Sequence, residues 1–340
     1  MIQVEHLQKH FKKVNKKPGL VGSIQSLFNT KYDIVKAVDD ISFHVPEGEI
    51  LGFIGPNGAG KSTVIKMLTG ILTPTSGSCR INGKDPQANR KKYVKEIGVV
   101  FGQRTQLWWD LPLRETYGVL KEIYEVDDAS YTKRMAFLNE VLELESFITS
   151  PVRTLSLGQR MRADIAAALL HNPKVLFLDE PTIGLDVVVK ENIRRAISEI
   201  NAENKTTVIL TTHDLDDIES LCKRIVMIDH GNKVYDGELL KLKKQYANFR
   251  ELNFVLENGQ SMMQIPATSD SPLHKESVII NENTGMVNIK FDNNITSVQD
   301  LLQYTLAHIK VKDVSIKEVN VEEIIRHIYT NEVNIDAKEA

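Results

Sequence analysis

Cysteine and tryptophan are scarce in this 340-residue chain, with two of each. Cys79 and Cys222 are too few and too far apart for a disulfide framework or a paired-cysteine zinc site. Long apolar runs are missing too: none reaches the roughly 18 residues that span a bilayer, so any link to a membrane must come through a partner. The opening MIQVEHLQKHFKK alternates as a strand does and lacks the apolar centre of a signal peptide. There is no excess of positive charge. The net charge is −3, which argues against a general nucleic-acid binder.

What remains is ordinary for a globular protein, 42% apolar and 26% charged, long enough for about two domains of ~150 residues each. Residues 41–54, ISFHVPEGEILGFI, read as two short strands around a turn. Further strands are predicted at 97–101, 175–179, 207–212 and 225–229. Several are continuous Val/Ile/Leu runs, as in a parallel sheet covered by helices on both faces. Between 110 and 172 the pattern turns helical. After about Gly237 it changes to short alternating stretches at 252–256, 286–291 and 314–317, with a helix, VQDLLQYTLAHI, among them and no long buried strand. The fold class is therefore α/β, a core over 1–237 followed by a small α+β domain over 238–340.

Residues 55–62, GPNGAGKS, satisfy GxxxxGK[ST] between a strand and a helix. Glycines at 55, 58 and 60 let backbone N–H groups close around phosphate oxygens, and the following helix points its positive end at them. Lys61 can reach the terminal phosphates and the Ser62 hydroxyl can ligate Mg²⁺. VLFLDE ends a buried strand with Asp179 and Glu180. Ligands in open parallel sheets bind beyond the carboxyl ends of the strands, so both acids are delivered toward those phosphates. Asp179 suits the metal shell, and Glu180 suits the polarisation of an attacking water. His213 ends the next strand on the same edge, within reach of a γ-phosphate.

RTLSLGQRMRADIAAALL at 153–170 separates this chain from other P-loop proteins. It resembles the signature sequence of the ATP-binding cassette (ABC) ATPases, usually LSGGQ. The order P-loop, Gln103, Leu155–Gln159, VLFLDEPT, GLD and His213 is similar to that family over residues 1 to 237. AVDDISFHVPEGEILGFIGPNGAGKST and the appended domain look most like subunits of type-2 ABC exporters. FGQRTQLWWDLP and LSLGQRMR look like a bacterial branch of uncharacterised or viologen-type exporters.

The resemblance implies roles. Gly55, Asn57, Gly58, Gly60, Lys61, Ser62 and Thr63 would bind the ATP phosphates, with Ser62, Gln103 and Asp179 around Mg²⁺. Glu180 looks like the catalytic glutamate, His213 like the switch histidine, and Gln103 like the glutamine that reports nucleotide state to a permease. Phe11 aligns with the aromatic that stacks on adenine; Tyr32 is its rival, because residues 12–33 look like an insertion. Ser156, Gly158 and Gln159 match signature residues that meet ATP on the opposite subunit, and Asp186 matches the aspartate that communicates across the dimer. Leu157 departs from the pattern, replacing the usual first glycine, so that a tight signature loop would rely on Gly158. The family's helical subdomain falls at about 104–172.

One P-loop and one signature, which face away from each other in that family, imply a second copy of the chain or a related ATPase to complete each ATP site. The implied partner is an integral membrane permease, the implied location the cytoplasmic face of the cell membrane, and the implied work export. The alternative is a soluble ABC ATPase acting on nucleic acid or ribosomes. The spacing between Lys61 and Ser156 leaves no room for the long coiled coil such proteins carry.

Two stretches stay open at this point. Trp108 and Trp109, adjacent in QRTQLWWDLP, either fill the core or leave at least one indole to receive the permease. Residues 12–31 contain Lys12, Lys13, Lys16, Lys17 and Lys31 and no acid, with Leu20, Ile24, Leu27 and Phe28 at helical spacing. They read as a solvated loop whose short helix packs on its own domain, or as a basic amphipathic helix that touches the permease or an anionic lipid surface.

Overall fold

The computed structural model describes residues 1–14, 32–88, 90–102, 104–246, 249–257, 272, 279–283, 286–318 and 321–330. The chain divides into two compact units, Met1–Glu238 and Leu239–Ala340.

In chain order the first unit runs β1 (Ile2–Val14), β2 (Tyr32–Val45), β3 (Ile50–Ile54), α1 (Lys61–Leu68), β4 (Ser76–Ile81), the single turn α2 (Arg90–Tyr93) and β5 (Ile97–Phe101). Next come α3 (Leu113–Tyr124), α4 (Asp128–Leu142), α5 (Leu157–Leu169), β6 (Val175–Asp179) and α6 (Val187–Asn204). It closes with β7 (Thr207–Thr211), α7 (Leu215–Leu221), β8 (Arg224–Asp229) and β9 (Asn232–Glu238). Its sheet order is β4-β1-β2-β9-β8-β3-β7-β6-β5.

Five of these strands, β8, β3, β7, β6 and β5, pair in parallel. They are the Val/Ile/Leu runs of the sequence: Val175, Leu176, Phe177 and Leu178 are all fully buried, and so are Val208, Ile209 and Leu210. Strands covered on both faces have no polar side to alternate with, which is why their sequences do not alternate. β1, β2 and β4 pair antiparallel and bring Ile2, Leu7, Ile41 and Ile81 into the same core as Leu51 and Phe53.

The parallel register positions the site. Asp179, at the end of β6, pairs with Thr211 of β7 on one side and Phe101 of β5 on the other. β3, which leads into the P-loop, lies on the far side of β7. All these strands therefore release their chain at one edge of the sheet, where ligands of open α/β sheets bind.

The second unit holds α8 (Leu239–Tyr246), β10 (Phe249–Leu256), β11 (Ile279–Asn283), β12 (Met286–Asp292), α9 (Val298–His308), β13 (Val311–Glu318) and α10 (Val321–Thr330). Its antiparallel sheet has the order β11-β12-β10-β13. The expectation that no long buried strand lies here is corrected: β10 has eight residues, and its Leu252, Phe254 and Leu256 pack with Val287, Ile289, Phe291 and Leu301. The alternating stretch read at 252–256 is the buried face of this strand.

Candidate active site

Helix α1 begins at Lys61, directly after Gly60, whose φ of +109° is a left-handed conformation. A Cβ on Gly60 would sit 2.4 Å from the Ala37 carbonyl oxygen, so only glycine lets the P-loop close against β2. Gly60 also offers no side-chain cap, which leaves the helix start open to an anion. The Lys61 ammonium donates to the carbonyls of Gly55 (2.5 Å) and Pro56 (3.3 Å). Its pKa is lowered because burial penalises the charged form, while Glu180 and Asp179 oppose that shift.

The P-loop opens onto a cleft of about 830 Å³, lined by Gly55, Asn57, Gly58, Gly60, Lys61, Ser62 and Thr63 together with Asp179, Glu180 and His213. Thus all the predicted phosphate-loop residues share one cleft with both predicted acids and the histidine. Ser62 Oγ donates to Asp179 Oδ2 at 3.2 Å, and Thr211 Oγ1 donates to Asp179 Oδ1 at 2.5 Å. Glu180 stands in the left-handed region at φ +58°, unusual for a side-chain-bearing residue, and its N–H donates to Thr211 O at 2.9 Å. Its Oε2 lies 2.7 Å from His213 Nδ1.

Gly102 was not foreseen. Its N–H donates to Asp179 O at 2.7 Å, and a Cβ there would lie 2.1 Å from Glu180 O. Gly102 thereby lets the end of β5 lie against the backbone that presents both acids, and it lines the cleft. Gln103, the next residue, lies outside the described residues, as do residues 15–31 and with them the proposed basic helix.

The adenine side comes out differently from the expectation. Phe11 does not line the cleft: it sits half-exposed on β1, paired in register with Val35, with the Lys9 ammonium 5.3 Å from its ring centroid. Tyr32, 54% exposed, does not line it either. Ala37 and Ile71 supply apolar wall instead.

Ser156, Gly158, Gln159 and Asp186 stand apart from this cleft. Ser156 caps α5 in a capping box, its Oγ accepting from Gln159 N (3.2 Å) while Gln159 Oε1 accepts from Ser156 N (2.9 Å). The expectation of a tight loop relying on Gly158 is therefore corrected. Leu157 is the first residue of a regular helix, which any side chain tolerates. Gly158 is needed for packing instead, since a Cβ there would meet Val189 Cγ1 at 2.7 Å. Asp186 likewise caps α6, accepting from Val189 N at 3.0 Å. Around these two helix starts Leu157, Val187 and Val188 are exposed.

Neither tryptophan fills the core. Leu107 takes the core position, 6% exposed, whereas Trp108 and Trp109 are 40% and 49% exposed. The Trp109 ring lies 5.6 Å beneath the Arg160 guanidinium of α5. Next to it, Thr105 Oγ1 (3.0 Å) and Gln106 N (3.1 Å) donate to the buried Asp164 of the same helix.

Comparisons with known proteins show the family. The family profile described as ABC transporter matches residues 38–183. The ABC transporter ATP-binding protein NatA of Bacillus subtilis is 30% identical over 228 residues, 67% of this chain and 92% of the relative. The chain belongs to the ATP-binding family of ABC transporters. Its relatives include the methionine import ATP-binding protein MetN 2 of Bacillus licheniformis, 35% identical over 224 residues, 65% of each chain. Among solved structures, the dimeric post-hydrolysis state of the ATP-binding cassette MJ0796, bound to ADP and Pi, is similar with a TM-score of 0.58 and 27% identity, covering 70% of this chain and 99% of that one. As a member of this family the chain is an ATP-binding transporter ATPase with a P-loop core. Among the described residues, no helix is long and apolar enough to cross a membrane.

Proposed function

We propose that this chain hydrolyses ATP in the cleft beyond β3, β6 and β7, pairs with a second copy across its ATP sites, and powers a separate membrane permease that exports its substrate. The observation that carries the reading is the convergence of Lys61, Ser62, Asp179, Glu180 and His213 on one cleft from widely separated parts of the chain. Gly55, Asn57, Gly58, Gly60 and Thr63 complete the phosphate-binding wall.

The residues present fit Mg²⁺, a hard cation that prefers oxygen ligands: Ser62 Oγ and the Asp179 carboxylate are already adjacent, and Gln103 follows the glycine at the cleft wall. Bound there, the metal would supply charge neutralisation for the phosphates. Glu180 is the group that accepts a proton from the attacking water, and His213, 2.7 Å from it, orients that carboxylate and can turn to the γ-phosphate.

The pairing is supported by what lies off the cleft. Ser156, Gly158, Gln159 and Asp186 do not reach their own chain's P-loop, and the exposed Leu157, Val187 and Val188 around them form an apolar surface that a second copy covers. The permease docks on the exposed Trp108 and Trp109, continuous in sequence with Leu111 and accompanied by Val119 and Ile123 one turn apart on α3. Location at the cytoplasmic membrane face follows from that docking. A relative named for import aligns at 35% identity, so the cassette carries no direction by itself. Export rests on the wording of residues 37–63 and on the appended domain.

The test is Glu180→Gln. The variant keeps binding of labelled ATP while phosphate release falls at least about 100-fold. Turnover at the wild-type level removes Glu180 from the mechanism.

A further inference from the structure

Asp217, on α7, is fully buried and does not line the P-loop cleft, yet it accepts hydrogen bonds from three separate parts of the chain. Its Oδ2 accepts from Thr182 Oγ1 at 2.5 Å and from Thr212 Oγ1 at 3.1 Å, and its Oδ1 accepts from Arg194 Nε at 2.7 Å. Thr182 is the second residue after Glu180, Thr212 immediately precedes His213, and Arg194 belongs to α6, the helix that Asp186 caps. Thr182 and Thr212 are each 2% exposed.

We infer that Asp217 is a positioning residue for ATP hydrolysis, a buried carboxylate that holds the Glu180 loop, the His213 loop and α6 in one register. The inference rests on the roles proposed above for Glu180 and His213. A carboxylate is the group this position needs. All three neighbours arrive as donors, and only a carboxylate presents acceptor oxygens on both sides. The guanidinium of Arg194 balances the buried charge, which unpaired would be costly.

The need for an anchor follows from the backbone. Glu180 occupies a left-handed conformation that relaxes unless its flanks are held. On the near side its own N–H is tied to Thr211 O at 2.9 Å. On the far side the Thr182 hydroxyl supplies the tie to Asp217. The other loop is fixed twice, because Thr212 Oγ1 also accepts from Asp214 N at 2.9 Å. Asp214 in turn meets Lys190 of α6 at 2.5 Å. The 2.7 Å contact between Glu180 and His213 is thus set by ties to one carboxylate. Placement errors of about 1 Å at a reacting group cost on the order of 100-fold in rate, so the tether acts on turnover rather than on nucleotide affinity.

The experiment measures kcat, KM, the Kd for labelled ATP and the thermal midpoint of the full chain for Thr182→Val, Thr182→Ser, Asp217→Asn and the control Glu180→Gln. Thr182→Val and Asp217→Asn lower kcat at least about tenfold with KM and Kd within about threefold, and Thr182→Ser, which keeps the hydroxyl, stays within about threefold of wild type. In the Glu180→Gln background Asp217→Asn changes the residual rate by less than about twofold, because groups that act as a unit are not additive. Wild-type kcat in Thr182→Val overturns the inference. So does a parallel loss of kcat, ATP affinity and thermal midpoint in Thr182→Val that Thr182→Ser shares. Should Asp217→Asn fail to fold, the Thr182 pair decides alone. Wild-type turnover in Glu180→Gln defeats the role of Glu180 itself, whereas an inactive Glu180→Gln beside an unimpaired Thr182→Val defeats only the tether.

Discussion

At Lys61 a buried ammonium is held against two P-loop carbonyls, the pose of a group waiting for a stronger anionic partner. Lys61→Ala removes that charge and should abolish binding of labelled ATP, in contrast to Glu180→Gln, which keeps it. Binding at wild-type affinity in Lys61→Ala would move the phosphates elsewhere. Gly102→Ala tests the backbone contact between β5 and the acids. Its Cβ would lie 2.1 Å from Glu180 O, so either strand must shift. Overpacking of this kind costs about 1–3 kcal/mol, and urea unfolding should show that loss together with slower phosphate release. The residues of the P-loop were legible in the sequence because their spacing is local and their strand–loop–helix setting is visible in the same stretch. Asp217 and Gly102 were not. Gly102 meets Glu180, and Asp217 meets Thr182 and Arg194, only through the tertiary fold, and an aspartate in LDDIES reads as an ordinary solvated helix residue.

The helix α5 and the stretch after Gly102 are joined through Asp164. Burial raises its pKa to about 6, and the N–H of Gln106, the Thr105 hydroxyl and the charge of Arg160 oppose that rise. The folded pKa lies above the ordinary 3.8, so the native state holds a proton that the unfolded chain has lost between those values. The stabilisation is complete below about 3.8 and disappears as pH rises through about 6. Against Asp164→Asn, which cannot titrate, the wild type should lose up to about 3 kcal/mol of relative stability over that window and stay level above it. A difference that does not change between pH 4 and pH 7 would show that Asp164 titrates normally. Element boundaries followed the same logic of legibility. The strands predicted at 97–101 and 175–179 match β5 and β6 because continuous apolar runs of that length leave few alternatives. In the second unit β11, IINEN, carries only two apolar residues and offers no strand pattern, whereas α10, with Val321, Ile324, Ile325 and Ile328 at helical spacing, was legible and was passed over. Phe11, expected as an aromatic wall, pairs in register with Val35 of β2 and does not line the cleft.

On the first unit, exposed apolar side chains include a group at the starts of α5 and α6 and a group around Trp108 and Trp109. The group around Trp108 and Trp109 is the docking surface proposed for the permease. Trp108→Ala and Trp109→Ala should leave ATPase activity of the isolated chain within about twofold and remove most of the stimulation by permease-containing membranes, since indoles at such sites contribute on the order of 2 kcal/mol or more. Normal stimulation in both variants would place the permease elsewhere. The group at the starts of α5 and α6 is the surface proposed for a second copy, and it carries the central proposal, that each ATP site is completed by two chains. Phosphate release per mole of purified chain, followed as a function of chain concentration with ATP and Mg²⁺ in excess, tests it most directly. The account predicts a specific activity that climbs with concentration to a plateau in the wild type and stays near background in Glu180→Gln. A specific activity that remains at its plateau down to concentrations where light scattering finds only single chains would contradict it.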